Sequence, residues 1–177
     1  MSHFMVAVIT DVGERVGLSR PTLEIKESLD RLMAPFDEGL EVESHPEDCW
    51  CEGNPDCPEC HGTGVFQGTF NEQAEWDWYR IGGRFDGLLT GIERPSTDRG
   101  FNFAASHEQL EYNALLCRDI RPDFSPYAVL TPDGEWHAGG WSYMDPSDEQ
   151  AAEWNRQVRA WFDQYPNNWA VGVDCHI

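Results

Sequence analysis

Tyr127-Ala128-Val129-Leu130-Thr131, followed by Pro132-Asp133-Gly134 and Glu135-Trp136-His137-Ala138, is the stretch that decides the fold class. Two short apolar runs flank a turn built from Pro, Asp and Gly, the chemistry of a β-hairpin. Downstream, Ser147 and Gln150 form a capping signature for a helix whose stripe is Trp154, Val158, Trp161 and Tyr165, stopped by Pro166. The aromatic stripe reads as core. The chain then runs into a strand from Trp169 to Ile177. Upstream, Ser106 and Gln109 predict a helix carrying Leu110, Ala114 and Cys117.

Farther out, Glu75-Trp76-Asp77-Trp78-Tyr79-Arg80-Ile81 reads as a strand ending in Gly82-Gly83, with a second short strand over 84–89. At the N-terminal end, residues 3–10 are a near-continuous apolar run of strand length. Ile25, Leu29, Leu32 and Met33 follow at helical spacing, with Thr22 as the expected cap and Pro35 as the stop. Helices alternate with hairpins rather than with single parallel strands. This predicts one α+β domain over residues 1–177, with a mainly antiparallel sheet and about three helices. Residues 37–68 break the pattern: acids, Pro, Gly and cysteines with few apolar residues, an insertion that needs an internal staple.

Charge narrows the functions. Thirty-two acids against twelve bases give a formal net charge of −20. That argues against direct binding to a nucleic-acid backbone, where lysine and arginine supply the affinity. It suits solubility, or attraction to a protein with a basic surface. No run approaches the roughly 18 apolar residues of a membrane span. Met1-Ser2-His3-Phe4 lacks the basic and apolar regions of a signal peptide, so a cytoplasmic protein is expected.

In a reducing compartment, clustered cysteines point to metal more than to disulfides. Cys49, Cys51, Cys57 and Cys60 give C-x-C-x5-C-x2-C. Cys57 and Cys60 have the loop spacing that aims two thiolates at one ion, and four such ligands make a closed structural zinc site. The tighter Cys49–Cys51 pair leaves room for His45 or His61 to replace one thiolate, and two disulfides or a redox pair are the alternatives. An insertion poor in core residues gains most of its order from a metal. Residues 57–64 resemble one half of a DnaJ-type zinc module, C-x-x-C-x-G-x-G, which implies a metal knuckle and no chaperone activity.

A second group of polar residues sits near the chain ends and middle. Strand alternation places Trp76, Trp78 and Arg80 on one face and Asp77 and Tyr79 on the other. In the last strand, Ala170, Gly172, Asp174 and His176 share a face, where the small residues leave room beside an acid and an imidazole. His3 joins them if the terminal strands pair. His3, Asp77, Tyr79, Arg84, Asp174 and His176 are thus a candidate site for a small anionic ligand or a second metal. A buried Arg–Asp pair at the sheet edge is the structural alternative.

The same motifs resemble a family of uncharacterised bacteriophage and prophage proteins. The resemblance rests on His3-Phe4-Met5-Val6, Met33-Ala34-Pro35-Phe36-Asp37-Glu38, Trp76 to Phe85 around Gly82-Gly83-Arg84, and the ending Val173-Asp174-Cys175-His176-Ile177. Met5, Glu75 and Phe85 depart from the family pattern, and Glu75 replaces a basic residue. The resemblance implies a mobile-element origin and a shared site, and no reaction; the expected location is then the host cytoplasm. Two functions follow as expectations. One is a phage accessory protein that binds a basic host protein or sequesters a small ligand, counteracting a host defence. The other is a hydrolase of a nucleotide or other phosphorylated small molecule, with His176 and Asp77 or Asp174 in acid–base roles and Arg84 as an oxyanion clamp. Beside these stands a purely structural zinc module in a larger complex. No phosphate loop, nucleophile elbow or His-Glu-x-x-His motif is present.

Overall fold

A computed structural model describes residues 2–16, 19–92, 107–139 and 146–177. The chain is α+β. Its strands among the described residues are β1 (His3–Gly13), β2 (His45–Asp48), β3 (Val65–Gly68), β4 (Trp78–Ile81), β5 (Ala114–Leu116), β6 (Ala128–Leu130), β7 (Trp136–Ala138) and β8 (Asn168–His176). The helices among the described residues are α1 (Thr22–Met33), α2 (His107–Asn113) and α3 (Asp148–Gln164). Six strands form the main sheet in the order β4-β8-β1-β6-β7, with β5 also on β8. Every pairing in it is antiparallel except β1 with β6. β2 and β3 pair separately. No helix of the described residues is long and apolar enough to cross a membrane.

The sheet is buried on both faces, which is why β1 reads as an unbroken apolar run. Val6, Val8, Val171, Val173 and Cys175 pack under Ile25, Leu29, Leu32 and Met33 of α1. Met5, Ala7, Ile9 and Ala170 turn the other way, against Trp154, Val158 and Phe162 of α3. Ser147 and Gln150 close the expected capping box on α3. Phe162 belongs to the buried stripe, and Trp161 and Tyr165 flank it half-buried.

Several expectations change. Thr22 is the first helical residue of α1 rather than its cap; Pro21 holds the cap position, and the Thr22 hydroxyl donates to the Arg20 carbonyl. The expected cap Ser106 lies outside the described residues. α2 ends at Asn113, and Ala114 opens β5 on the free stretch of the β8 edge. Leu110 and Ala114 are buried as predicted, but Cys117 lands in the opposite core layer, because the chain crosses the sheet edge between them. Residues 84–89 form no strand. A 3-10 turn, Gly83–Phe85, leads into further turns that insert Leu89 beneath the sheet.

Candidate functional site

The insertion is a short hairpin with the thiols at its far end. Cys49 follows β2, and its N–H donates to the Gly64 carbonyl just before β3. All four cysteine Sγ atoms lie within 4.8 Å of one another. Cys49 and Cys57 are 3.6 Å apart, and Cys51 and Cys60 are 3.3 Å apart. A tetrahedron with metal–sulfur bonds of about 2.3 Å sets its sulfurs about 3.8 Å apart, whereas a disulfide needs about 2.05 Å. The geometry therefore suits one metal ion, and all six cysteines are free thiols.

The two halves of this knuckle are alike. Glu52 and Gly53 after Cys51 have φ of 52° and 82°; His61 and Gly62 after Cys60 have φ of 50° and 82°. Each is a left-handed pair that wraps the chain around the second thiol. Burial raises the Cys60 thiol, but the Cys51 thiol and the N–H groups of Gly64 and Gly62 outweigh it and bring it to about 6. The Cys49 thiol moves the other way: the Cys51 N–H lowers it, but burial and the other three thiols outweigh this and push it up to about 12, so the four share protons that a metal would displace. Neither histidine replaces a thiol. His45 sits against Glu47 and Glu72, and His61 is exposed.

The second site lies where β1, β8 and β4 end together. His3 pairs in register with His176, and His176 with Trp78, so the three side chains form one row. The His3 and His176 ring centroids are 5.0 Å apart, and Trp78 stacks on His176 at 4.8 Å. Each imidazole is oriented by a carboxylate. His3 Nδ1 donates to Asp174 Oδ1 at 2.9 Å. His176 Nδ1 donates to Asp77, at 2.8 and 2.9 Å from its two oxygens. Asp174 is 2% exposed, and its second oxygen accepts the Arg84 backbone N–H at 2.9 Å.

Gly82-Gly83 exists for this acid. Gly83 has a φ of 52°, and a Cβ there would stand 2.4 Å from Asp174 Oδ2. A Cβ on Gly82 would stand 2.5 Å from Asn113 Nδ2; Oδ1 of this buried amide accepts the Gly87 N–H and so fixes the turn. The small residues make room for chain, not for a cavity: a Cβ on Gly172 would meet Met5 at 2.9 Å and Leu89 at 3.3 Å.

Of the six residues expected to meet, four do: His3, Asp77, Asp174 and His176. Arg84 contributes its backbone; its side chain is exposed and pairs with no acid among the described residues. Tyr79 does not join. It packs on the α1 face and donates its hydroxyl to Asp30 at 2.8 Å. Regular alternation would have put Asp77 with Tyr79. A bend at Asp77 breaks it, because Glu75 and Trp76 donate their N–H groups to the Phe36 carbonyl and not to β8. Trp76 thus packs beside Tyr79 at 5.0 Å, and Asp77 swings to His176. Trp78 was the member that alternation excluded.

No family model matches the chain, and neither a curated protein nor a solved structure does. The functional reading therefore rests on the chemistry of these two sites.

Proposed function

We propose that this chain is a phage- or prophage-encoded accessory protein that holds a small anionic ligand on the Nε2 edges of the adjacent His3 and His176 rings, its insertion ordered by a structural zinc ion. One observation carries the ligand reading: two adjacent imidazoles, each with Nδ1 committed to a carboxylate. That leaves both Nε2 atoms for a ligand. An imidazole that carries a proton on Nε2 donates it to an anion such as a phosphate group. The Arg84 guanidinium, on the turn that holds Asp174, adds positive charge nearby. Sequestering such a ligand is one way to counteract a host defence.

A second reading is favoured by the same orientation. Imidazoles fixed by carboxylates are the arrangement of a general acid and a general base, so a phosphorylated small molecule or nucleotide held there can be hydrolysed. Titration of the purified chain with inorganic phosphate and nucleoside monophosphates, followed on the histidine side-chain NMR signals, tests both. Binding that shifts His3 and His176 together, and is lost in His176→Ala, supports the site. Because Asp77 is 37% exposed and can be solvated, that variant keeps a near-native melting temperature. Release of phosphate or nucleoside in the same samples selects the hydrolase. No shift at either imidazole, or severe unfolding of His176→Ala, makes the row a scaffold.

Four thiolates in a tetrahedron suit zinc, with iron the other metal that such a set takes, and the closed set leaves no position for substrate. Metal analysis of protein purified under reducing conditions is expected to give about one zinc per chain. Replacing Cys57 or Cys60 by Ser removes it.

A further inference from the structure

Trp50 stands between two of the candidate metal ligands, Cys49 and Cys51, and is 98% exposed. Tryptophan is on average a highly buried residue, and other large aromatics of this chain, Trp76, Trp154 and Phe162 among them, are buried. Its backbone is held on both sides, by the Cys49 N–H on Gly64 and the Asn54 N–H on the Cys51 carbonyl. Val65, paired with Asp48 just before the knuckle, adds a second exposed apolar side chain. A large aromatic on a fixed backbone binds at little ordering cost, the property of an interface anchor.

The surroundings of Trp50 say what it meets. Residues 37–68 contain nine carboxylates and no lysine or arginine. Four thiolates around a divalent ion add further negative charge. Nucleic acid, an anionic membrane and a second copy of this acidic chain are all repelled by that field; a basic protein surface is attracted.

We propose that the knuckle is a docking head, in which Trp50 enters an apolar slot on a partner protein and the surrounding carboxylates meet lysines and arginines at the rim. This goes beyond the histidine-pair reading and does not depend on it. The metal's part is to stiffen the loop that presents Trp50.

Selection of a random-sequence peptide library on the immobilised, zinc-loaded full chain tests this. Enriched peptides are expected to carry Lys or Arg around an aromatic or aliphatic residue and to bind more weakly as salt is raised. Trp50→Ala is expected to bind them at least about 30-fold more weakly while keeping its zinc and its melting temperature. His176→Ala is expected to bind them unchanged. Enrichment of no peptide, enrichment of peptides without basic residues, or equal binding by Trp50→Ala overturns the proposal. So does sedimentation showing a dimer that Trp50→Ala dissociates, since the occupant is then a second copy.

Discussion

Asp174 shows how a buried carboxylate is held in this fold. Taking a charge out of water costs several kcal/mol unless partners replace the lost hydration. Here one oxygen takes the His3 imidazole and the other takes a backbone N–H that only a tight turn can present. The turn in turn needs a residue without Cβ at position 83. Gly83→Ala forces a left-handed alanine and a side chain into the carboxylate. A loss of about 2–4 kcal/mol in stability is expected, measured by urea denaturation. A loss below about 0.5 kcal/mol, within the ordinary scatter of surface substitutions, contradicts the account.

At the scale of elements, the hairpin β2–β3 and the main sheet draw on different sources of order. The sheet has α1 and α3 packed on its two faces. The hairpin has four thiols and little apolar burial: only Cys57 and Cys60 among its apolar residues are buried. If the thiols hold the proposed metal, its chelation is expected to strip amide protection from residues 45–68 while β1 and β8 keep theirs. Hydrogen exchange with and without chelator measures this, and loss of protection in β1 would show that the insertion supports the core. The same contrast explains what periodicity gave. α3 and α1 were legible because their stripes face a single layer. The spacing overextends α2, since Ala114 satisfies a helical stripe and a β8 edge equally well. The turn after Gly83 mimics a strand in sequence because its apolar residues, Leu89 above all, are inserted from a loop.

At the scale of the molecule, charge and pH set the behaviour. With 32 acids and 12 bases, no sequence-independent binding to duplex DNA is expected at physiological salt. A gel-shift titration giving micromolar affinity with a steep salt slope would contradict this. At alkaline pH the core becomes the weak point. Burial pushes the Cys117 thiol up to about 12, against about 8.5 for a free thiol. Cys175, by burial and the Asp174 charge, and Tyr79, by burial and its bond to Asp30, are raised as well. A group whose folded value is raised contributes fully below its unfolded value and loses that contribution as pH rises. The melting temperature is thus expected to fall from about pH 8.5 upward. Cys117→Ala is expected to be less stable at neutral pH but to lose less on going alkaline; an identical slope in the two proteins would exclude Cys117 as a source.

The sequence by itself determined the strands at both ends, the two long helices, the hairpin and the thiol cluster. These depend on spacing along the chain: a run such as Val6 to Ile9 has one favourable fate, and C-x2-C converges wherever it is placed. The tertiary structure alone decided which acid serves which histidine. His3 and Asp174 lie 171 residues apart, and Asp77 and His176 lie 99 apart. Their pairing follows from the register of β1 and β4 on β8 and from one bend at Asp77, where a carbonyl of Phe36 competes with the sheet for the N–H groups of Glu75 and Trp76. Alternation along a strand assumes an unbroken ladder, and only the packed fold shows where that ladder begins.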